Sequence, residues 1–295
     1  MLLRLQAWFP RAGVAARRGL RYQRGLPDPF TIRLRARVTA KRAILSVLTA
    51  TAVPLTTAQL QGCGALLGCE APAIRVALGR LVDRGDVTAL GDGCYEIGAR
   101  GAPIATAVQR WVALPKRVKP WREGWLLVHT AHLGRRHRAS LRRRERALSL
   151  FGFAALLDGL WVRPDNLTQP VDEIRRDLTG LGLEADAVLA TASALDAGQT
   201  LDPHALWDAQ TLEAGYSAAL AAMQTCLAGF DDADVRARAR DTARIGSAVI
   251  GMLIVDPLLP AALVDARLRR DVHRTMVTFD RVGKKALRAF WAATG

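Results

Sequence analysis

A regular alternation of helical stretches and chain-breaking residues in 38–97 constrains the fold more than any other feature of the sequence. Apolar residues recur there at helical spacing in three stretches. These stretches predict helices over residues 38–50, 57–67 and 70–84. The breaks are residues that cap or end helices: Pro54, Thr56, Thr57, Gly68 and Gly85. Two short strand-like runs then surround a glycine-rich turn at 91–93 and predict a hairpin.

Three helices followed by a small hairpin predict a winged helix-turn-helix, a unit that binds DNA. In such a unit the third helix enters the major groove and presents side chains to base edges, while the hairpin follows the phosphate backbone. The predicted third helix places Arg75 and Arg80 opposite its apolar face, with Arg84 at its end. We therefore expect these arginines to contact DNA. For each of them, a solvated arginine on the helix surface is the alternative.

Positive charge is concentrated in two segments of the 295-residue chain, whose formal net charge is +15. Residues 1–50 contain eleven Lys or Arg and one acidic residue, and residues 100–150 contain thirteen and two. A polyanionic partner explains such clustering, because each phosphate contact releases condensed counterions. Solvated arginine-rich faces are the alternative. The residues expected to contact DNA from these two segments are Arg37, Lys41, Arg42, Arg142 and Arg143.

The pattern along the chain predicts an α+β multidomain protein. Residues 121–200 have the strand and helix order βαββαβ, which predicts a ferredoxin-like middle domain, and Ala-rich helical periodicity takes over afterwards. The predicted parts are a basic, disordered arm (1–36), the winged helix-turn-helix (37–100), a proline-punctuated linker (101–120), the ferredoxin-like domain (121–200) and an all-helical effector and dimerisation domain (201–295). A DNA-contacting arm and a misplaced start codon are the alternatives for the first segment.

The sequence contains no motif that predicts an enzyme. It has no Gly-rich phosphate loop, nucleophile elbow or acidic metal pair. His129, His132 and His137 lie close together, but no Asp, Glu or Cys joins them at ligand spacing. The four cysteines form no C-x-x-C pair and indicate buried thiols in a reducing cytoplasm. We therefore expect no catalytic site, metal or cofactor, and no membrane span, since no apolar run is long enough.

Several short strings resemble the PaaX-like transcriptional regulators, a family known for repressing phenylacetate degradation operons. They are AIRVALGRLVDRGDV, WLLVHT, FGFAALLDGLWVRPDN, LWDAQTLEAGY and DPLLP. The resemblance spans about residues 38–292, and GLWVRP and DPLLP are its most specific elements. It implies a homodimeric repressor that binds a double-stranded, inverted-repeat operator. It also implies release of that operator when an aryl-CoA or related acyl-CoA thioester binds.

Candidate effector contacts lie in the last third of the chain. Trp207 and Tyr216 occur at spacing typical of a helical core and can equally line a cavity. Arg240 and Arg244 are candidates for binding the phosphates of a CoA thioester, with local ion pairs to nearby aspartates as the alternative. Residues 247–255 read SAVIGMLIV, where the resemblance implies His and Arg. A DNA-binding regulator that has lost its effector therefore remains an alternative.

A metal-dependent nuclease built on the middle domain is the alternative from another functional class. The middle domain of the family also resembles small nuclease-like proteins of prokaryotic adaptive immunity, in which an aspartate follows the first strand and serves metal-dependent chemistry. In this chain Thr130 and Ala131 follow His129. The missing acid argues against the nuclease.

Overall fold

The computed structural model describes residues 28–134, 137–196 and 202–294, which form an α+β protein dominated by helices. The N-terminal elements are α1 (Pro29–Arg35), α2 (Ala40–Thr51), β1 (Leu55–Thr56), α3 (Thr57–Leu66), α4 (Ala71–Asp83), β2 (Val87–Gly91) and β3 (Cys94–Ile97). The three short strands form an antiparallel sheet in the order β1-β3-β2. This arrangement contains the three helices and the hairpin that the sequence predicts, each within two residues of the expected bounds.

Local hydrogen bonds explain where these helices begin. The Thr39 hydroxyl accepts from the Arg42 amide at the start of α2. At the start of α3, the Thr56 hydroxyl accepts from the Gln59 amide at 3.2 Å, and the Gln59 side chain accepts from the Thr56 amide at 2.8 Å. This capping box satisfies two amides that would otherwise lack partners. The strand β1, which the sequence pattern did not reveal, ends at the capping residue Thr56 and pairs with β3.

The segment predicted as a linker over 101–120 is helical and packed. It contains α5 (Ala102–Gln109) and a 3-10 helix (Arg110–Arg117). Trp111 and Leu114 of the 3-10 helix are both 4% exposed. The prediction was wrong because it took proline as a helix breaker, whereas Pro103 occupies the first turn of α5, where a missing amide proton is tolerated.

The middle of the chain forms a four-stranded antiparallel sheet covered by two helices. Its elements are β4 (Trp125–His129), α6 (Arg138–Leu150), β5 (Ala154–Leu157), β6 (Leu160–Pro164), α7 (Val171–Leu181) and β7 (Val188–Ala192). The element order is βαββαβ and the strand order is β5-β6-β4-β7. Alternate residues of β4 face opposite sides. Leu126 and Val128 pack with Leu148 of α6 and Ile174 of α7, whereas Trp125 packs in a smaller apolar cluster.

The C-terminal part is helical, as predicted. A short 3-10 helix (Pro203–Leu206) precedes α8 (Ala209–Ala228), α9 (Val235–Ile254) and the 29-residue α10 (Ala266–Thr294). One cluster of buried apolar residues runs from the middle sheet through α8, α9 and α10. A separate apolar core lies within residues 38–108, which we call the N-terminal unit. Ile250 and Leu287 pack against this core. None of the helices in the described ranges has an apolar stretch that could cross a bilayer.

Part of the predicted disordered arm is an ordered helix. The Asp28 carboxylate accepts hydrogen bonds from the amides of Phe30 and Thr31, and Pro29 occupies the first helical position of α1. Phe30 is 2% exposed and belongs to the large core, and α1 packs against α8 and α9. Burial of Phe30 makes this segment part of the fold. Residues 1–27, the rest of the predicted arm, lie outside the described residues.

Candidate nucleic-acid interface

The solvent-facing side of α4 carries the residues predicted to contact DNA. Its inner face is anchored by buried apolar side chains, namely Ile74, Leu78 and Leu81. Its outer face exposes Arg75, Val76, Gly79 and Arg80, which we call the α4 surface. Neither arginine forms an ion pair with any residue that the structure describes. Both guanidinium groups are therefore available to an external partner.

Gly79 leaves the centre of the α4 surface flat. A Cβ atom added there would meet no atom within 4 Å, so internal packing does not require glycine at this position. Glycine inside a helix is less favourable than alanine by about 1 kcal/mol. A bare backbone between Arg75 and Arg80 allows another molecule to approach the helix closely.

Arg37 extends this surface toward the beginning of α4. The Cys69 thiol, in the turn before α4, donates to the Val38 carbonyl oxygen at 3.3 Å, so residues 37–38 lie beside that turn. Burial raises the pKa of the Cys69 thiol, and the positive charge of Arg37 opposes the rise. Arg37 is exposed, whereas Lys41, at the start of α2, is half-buried.

Two other predicted contacts, the buried Arg42 and the exposed Arg84, interact with residues of the same chain. Arg42 is 5% exposed and donates from Nη2 to the Ser247 hydroxyl of α9 at 3.3 Å. Its predicted DNA contact is wrong, because α9 covers this side of α2. Arg84 contacts the buried carboxylate of Asp86 at 3.0 Å. Its charge is thus partly neutralised within the unit.

The hairpin contributes no positive charge to the surface. Residues 87–97 contain Asp92 and Glu96 but no Lys or Arg. Asp92 adopts a φ of 47° at the tip, next to two glycines that also have positive φ. The predicted backbone contact of the hairpin would therefore depend on main-chain amides and polar side chains.

The basic helix α6 exposes only part of its arginine cluster. Arg142 and Arg143 are exposed, as a contact with phosphate requires. Arg144 is 2% exposed, and its guanidinium donates to both carboxylate oxygens of Glu184 at 2.9 and 2.8 Å. These hydrogen bonds lower the pKa of Glu184. Arg144 therefore fastens α6 to the segment after α7.

The four residues predicted to bind an effector do not form one site. Trp207 stacks on Trp125 with ring centroids 6.5 Å apart and donates from Nε1 to the Gly152 carbonyl oxygen. Tyr216 is 1% exposed and donates to Asp256 at 2.6 Å. Tyr216 is a core residue, so its predicted ligand contact is wrong. Trp207 is half-buried against the apolar cluster around Trp125, and its predicted contact stays a prediction.

The two predicted effector arginines lie one turn apart on α9. Arg240 donates from Nε and Nη2 to the carboxylate of the adjacent Asp241 at 2.8 and 3.0 Å. It thus forms the local ion pair that is the alternative to binding a phosphate. Arg244 is exposed and lines a cavity between α9 and the N-terminal unit. Only Arg244 thus remains beside a space that a ligand could occupy.

The two most specific sequence strings meet in space. Arg163, from GLWVRPDN, is 1% exposed and donates to the carbonyl oxygens of Phe151 and Pro257. Asn166 accepts from Arg163 and donates from Nδ2 to the Leu258 carbonyl oxygen at 2.6 Å. We call these contacts the Arg163 lock. It joins the middle sheet to the DPLLP corner, which links α9 to α10.

A second buried network holds the same corner. Asp256 accepts from the Tyr216 hydroxyl and from the Leu258 amide, and lies 3.6 Å from Arg269. Arg269 also donates to the Leu259 carbonyl oxygen at 2.9 Å. Burial first, and then the Asp256 charge, raise the pKa of Tyr216 well above its ordinary value. The roles of Tyr216, Asp256 and Arg269 are structural.

The histidines at the end of β4 form a pair. His129 and His132 stack with centroids 5.2 Å apart, and His132 Nε2 lies 2.9 Å from the Asp186 carbonyl oxygen. Within the described ranges, no three His, Cys, Asp or Glu side chains come together as a metal site would require.

Comparisons with known proteins identify a shared fold. No family model and no curated protein matches the chain. Among solved structures, the chain is similar to the uncharacterized protein Rv0674 from Mycobacterium tuberculosis, with a TM-score of 0.58 and 22% sequence identity. The similarity covers 84% of this chain and 98% of that chain. At this identity it shows the fold alone, and the PaaX-like resemblance stays a prediction.

Proposed function

We propose that this protein is a DNA-binding transcriptional regulator in which residues 40–97 form a winged helix-turn-helix and residues 125–192 a ferredoxin-like domain. The α4 surface carries the proposal. It presents two exposed arginines, Arg75 and Arg80, on either side of a bare helix backbone at Gly79. A helix of this kind fits the major groove, where arginine binds guanine through two hydrogen bonds.

The proposed mode of binding divides the basic residues into two groups. Arg75 and Arg80 would read bases, whereas Arg37, Arg142 and Arg143 would contact phosphates, which fix position without reading sequence. We further propose a cytoplasmic homodimer whose two copies bind half-sites about 10 bp apart, or a multiple of that spacing. A ligand that releases the operator, expected from the family resemblance to be an acyl-CoA thioester, completes the proposal.

DNA binding by the full chain tests this function. Fluorescence anisotropy would compare the protein's own upstream intergenic DNA with a scrambled duplex of the same length. We expect Arg75→Ala and Arg80→Ala each to weaken specific binding by roughly 5- to 100-fold, as for loss of a bidentate base contact, and to weaken binding to scrambled DNA less. Arg176→Ala, on the exposed side of α7, is the control and should leave both affinities unchanged.

The outcomes separate base reading from general charge. Equal losses on specific and scrambled DNA would show that Arg75 and Arg80 contact only phosphates. No preference of the unmodified protein for upstream DNA would contradict the regulatory function.

A further inference from the structure

A cavity of about 150 Å³ lies between the N-terminal unit and the C-terminal helices. Its walls are formed by α2 and α3 of the N-terminal unit, by α9 and α10 of the C-terminal part, and by the ends of α1 and α5 with Trp111. The helix α2 lines the cavity and also packs against α4. A single helix, α2, thus separates the cavity from α4.

The polar part of the cavity is positively charged. Four basic residues line it, namely Arg33, Arg42, Arg244 and Lys284, together with one acidic residue, Asp280, which pairs with Lys284 at 2.7 Å. Burial, and then the charge of Arg33, lower the pKa of Arg42 to about 10. An excess of positive charge in a partly enclosed space favours the binding of an anion there.

One hydroxyl in the cavity wall is buried. Thr49 is 4% exposed, and its Oγ1 forms no hydrogen bond with the described residues. Gln109 reaches the same residue but donates to the Thr49 main-chain oxygen at 2.6 Å. Because Arg42, Ser46 and Thr49 follow one another at helical spacing, all three line the cavity from α2. Buried polar atoms without partners are uncommon, and a ligand oxygen would satisfy this one.

The rest of the cavity wall is apolar. Its side chains come from both sides of the interface: Leu34, Val47, Trp111, Ile250, Met276 and Phe279. An apolar cavity of about 150 Å³ is large enough to hold a benzene ring. The combined lining therefore matches a small molecule with one apolar ring and one anionic group.

We propose that this cavity binds a small organic carboxylate with an apolar body of about one ring, and that its carboxylate lies between Arg42 and the Thr49 hydroxyl. Only the regulatory consequence rests on the proposed DNA-binding function. Arg42 already links α2 to α9 through Ser247, so a carboxylate that takes over this donor changes the contact between the two units. That change reaches α4 through α2.

Binding of benzoate to the full chain is the first test. Benzoate should raise the melting temperature progressively with concentration, and isothermal calorimetry should give a dissociation constant at least tenfold lower than that of benzamide, its neutral analogue. Benzoyl-CoA serves as the thioester probe. Binding of benzoyl-CoA without binding of benzoate would overturn the proposed ligand class. No binding of benzoate, cyclohexanecarboxylate or benzoyl-CoA would overturn the site.

Substitutions then test the placement of the carboxylate. Thr49→Val keeps the shape of the side chain and removes a hydroxyl that has no hydrogen-bond partner among the described residues. It should therefore fold normally and weaken benzoate binding about fivefold. Arg42→Met should weaken it at least roughly tenfold, as for a charged hydrogen bond. Arg240→Gln, on α9 but paired with Asp241, is the control and should have no effect. Unchanged affinity in both Thr49→Val and Arg42→Met would overturn the placement.

A final measurement tests whether ligand binding in the cavity changes the affinity for DNA. DNA affinity is measured with and without saturating benzoate, and a change of about fivefold or more would support coupling between the cavity and α4. An unchanged DNA affinity would overturn the regulatory consequence. Absence of specific DNA binding by the ligand-free protein would contradict the proposed function, while the calorimetry would still decide whether the cavity binds carboxylates.

Discussion

Arg163 is a buried cation that donates to main-chain oxygens from two distant segments of the chain, at Phe151 and Pro257. Replacing it with methionine fills much of the same volume but leaves those oxygens without a donor. Each buried acceptor left unsatisfied costs about 1–3 kcal/mol. We therefore expect Arg163→Met to lower the free energy of unfolding by about 2–4 kcal/mol, measured by urea titration.

The matched control is Arg176→Met on α7. Arg176 is exposed and pairs with Asp172 at 3.2 Å across one helical turn. An exposed pair contributes at most about 1 kcal/mol, so the control should change stability little. Similar losses for both variants would contradict the proposed role of the Arg163 lock.

The burial of the Cys63 thiol leads to a prediction of how stability depends on pH under alkaline conditions. Burial raises the pKa of this thiol from 9.0 to about 12. Between these values the unfolded chain loses a proton that the folded chain keeps, so the free energy of unfolding decreases as pH rises. The contribution of this group approaches 1.4 kcal/mol per pH unit. Cys63→Ala should reduce the slope of stability against pH in that range, as measured by urea titrations at several pH values. An unaltered slope would contradict the prediction.

At the scale of single residues, sequence predicted exposure on α4 better than exposure on α2. Arg75 and Arg80 are exposed as expected, because only one face of α4 is covered. Arg42 was expected at the surface and is buried, because α9 covers the polar side of α2. Arg144 is buried, and its guanidinium is satisfied by Glu184, which lies forty residues away in sequence. Periodicity identifies the apolar face of a helix but not a distant segment that covers its polar face.

At the scale of elements, helices and strands with strong periodicity were predicted closely. The third helix, expected over 70–84, spans Ala71–Asp83. The helix α1 and the segment that contains α5 were missed. Both begin with a proline in the first turn, and both are held by contacts with other parts of the chain rather than by a local apolar face.

A substitution at Gly79 tests both the stability of α4 and its contact with DNA. Gly79→Ala should raise the free energy of unfolding by about 0.5–1 kcal/mol, because alanine favours the helix and the added methyl meets no atom. If the α4 surface contacts DNA, the same methyl should weaken specific binding, as measured by anisotropy. The control is Gly180→Ala on α7, where a Cβ also meets no atom. It should stabilise the protein similarly and leave DNA binding unchanged.

The two Gly→Ala variants distinguish packing from contact. Equal DNA affinity for both would exclude close approach of DNA to Gly79. A loss of stability in Gly79→Ala would contradict the open surroundings of that residue.

At the scale of the whole molecule, the predicted boundary between middle and C-terminal domains does not interrupt the core. Apolar residues of the sheet pack in one cluster with α8, α9 and α10. The sequence could reveal the change from strands to helices near residue 200. It could not reveal that both parts share a core, because the core and the Arg163 lock join segments that are distant in sequence, more than ninety residues apart in the lock.

The contribution of α6 to DNA binding also belongs to this scale. If Arg142 and Arg143 contact phosphates, changing both to Gln should reduce the slope of log affinity against log salt by about 1.8, since each phosphate contact contributes about 0.9. Arg144 is left unchanged because it is bonded to Glu184. Arg267→Gln with Arg270→Gln, both exposed on α10, makes the same change in net charge. Equal slopes for the two double variants would remove α6 from the interface.

The Arg163 lock has a consequence for how such chains diverge. Arg163 and Asn166 hold the corner through main-chain oxygens at Pro257 and Leu258, which every amino acid possesses. Substitutions at the corner can therefore accumulate without loss of these contacts, provided that the backbone keeps its path through Leu258, where φ is 55°. In distant descendants we expect the arginine near the end of β6 to be retained longer than the corner sequence that it holds.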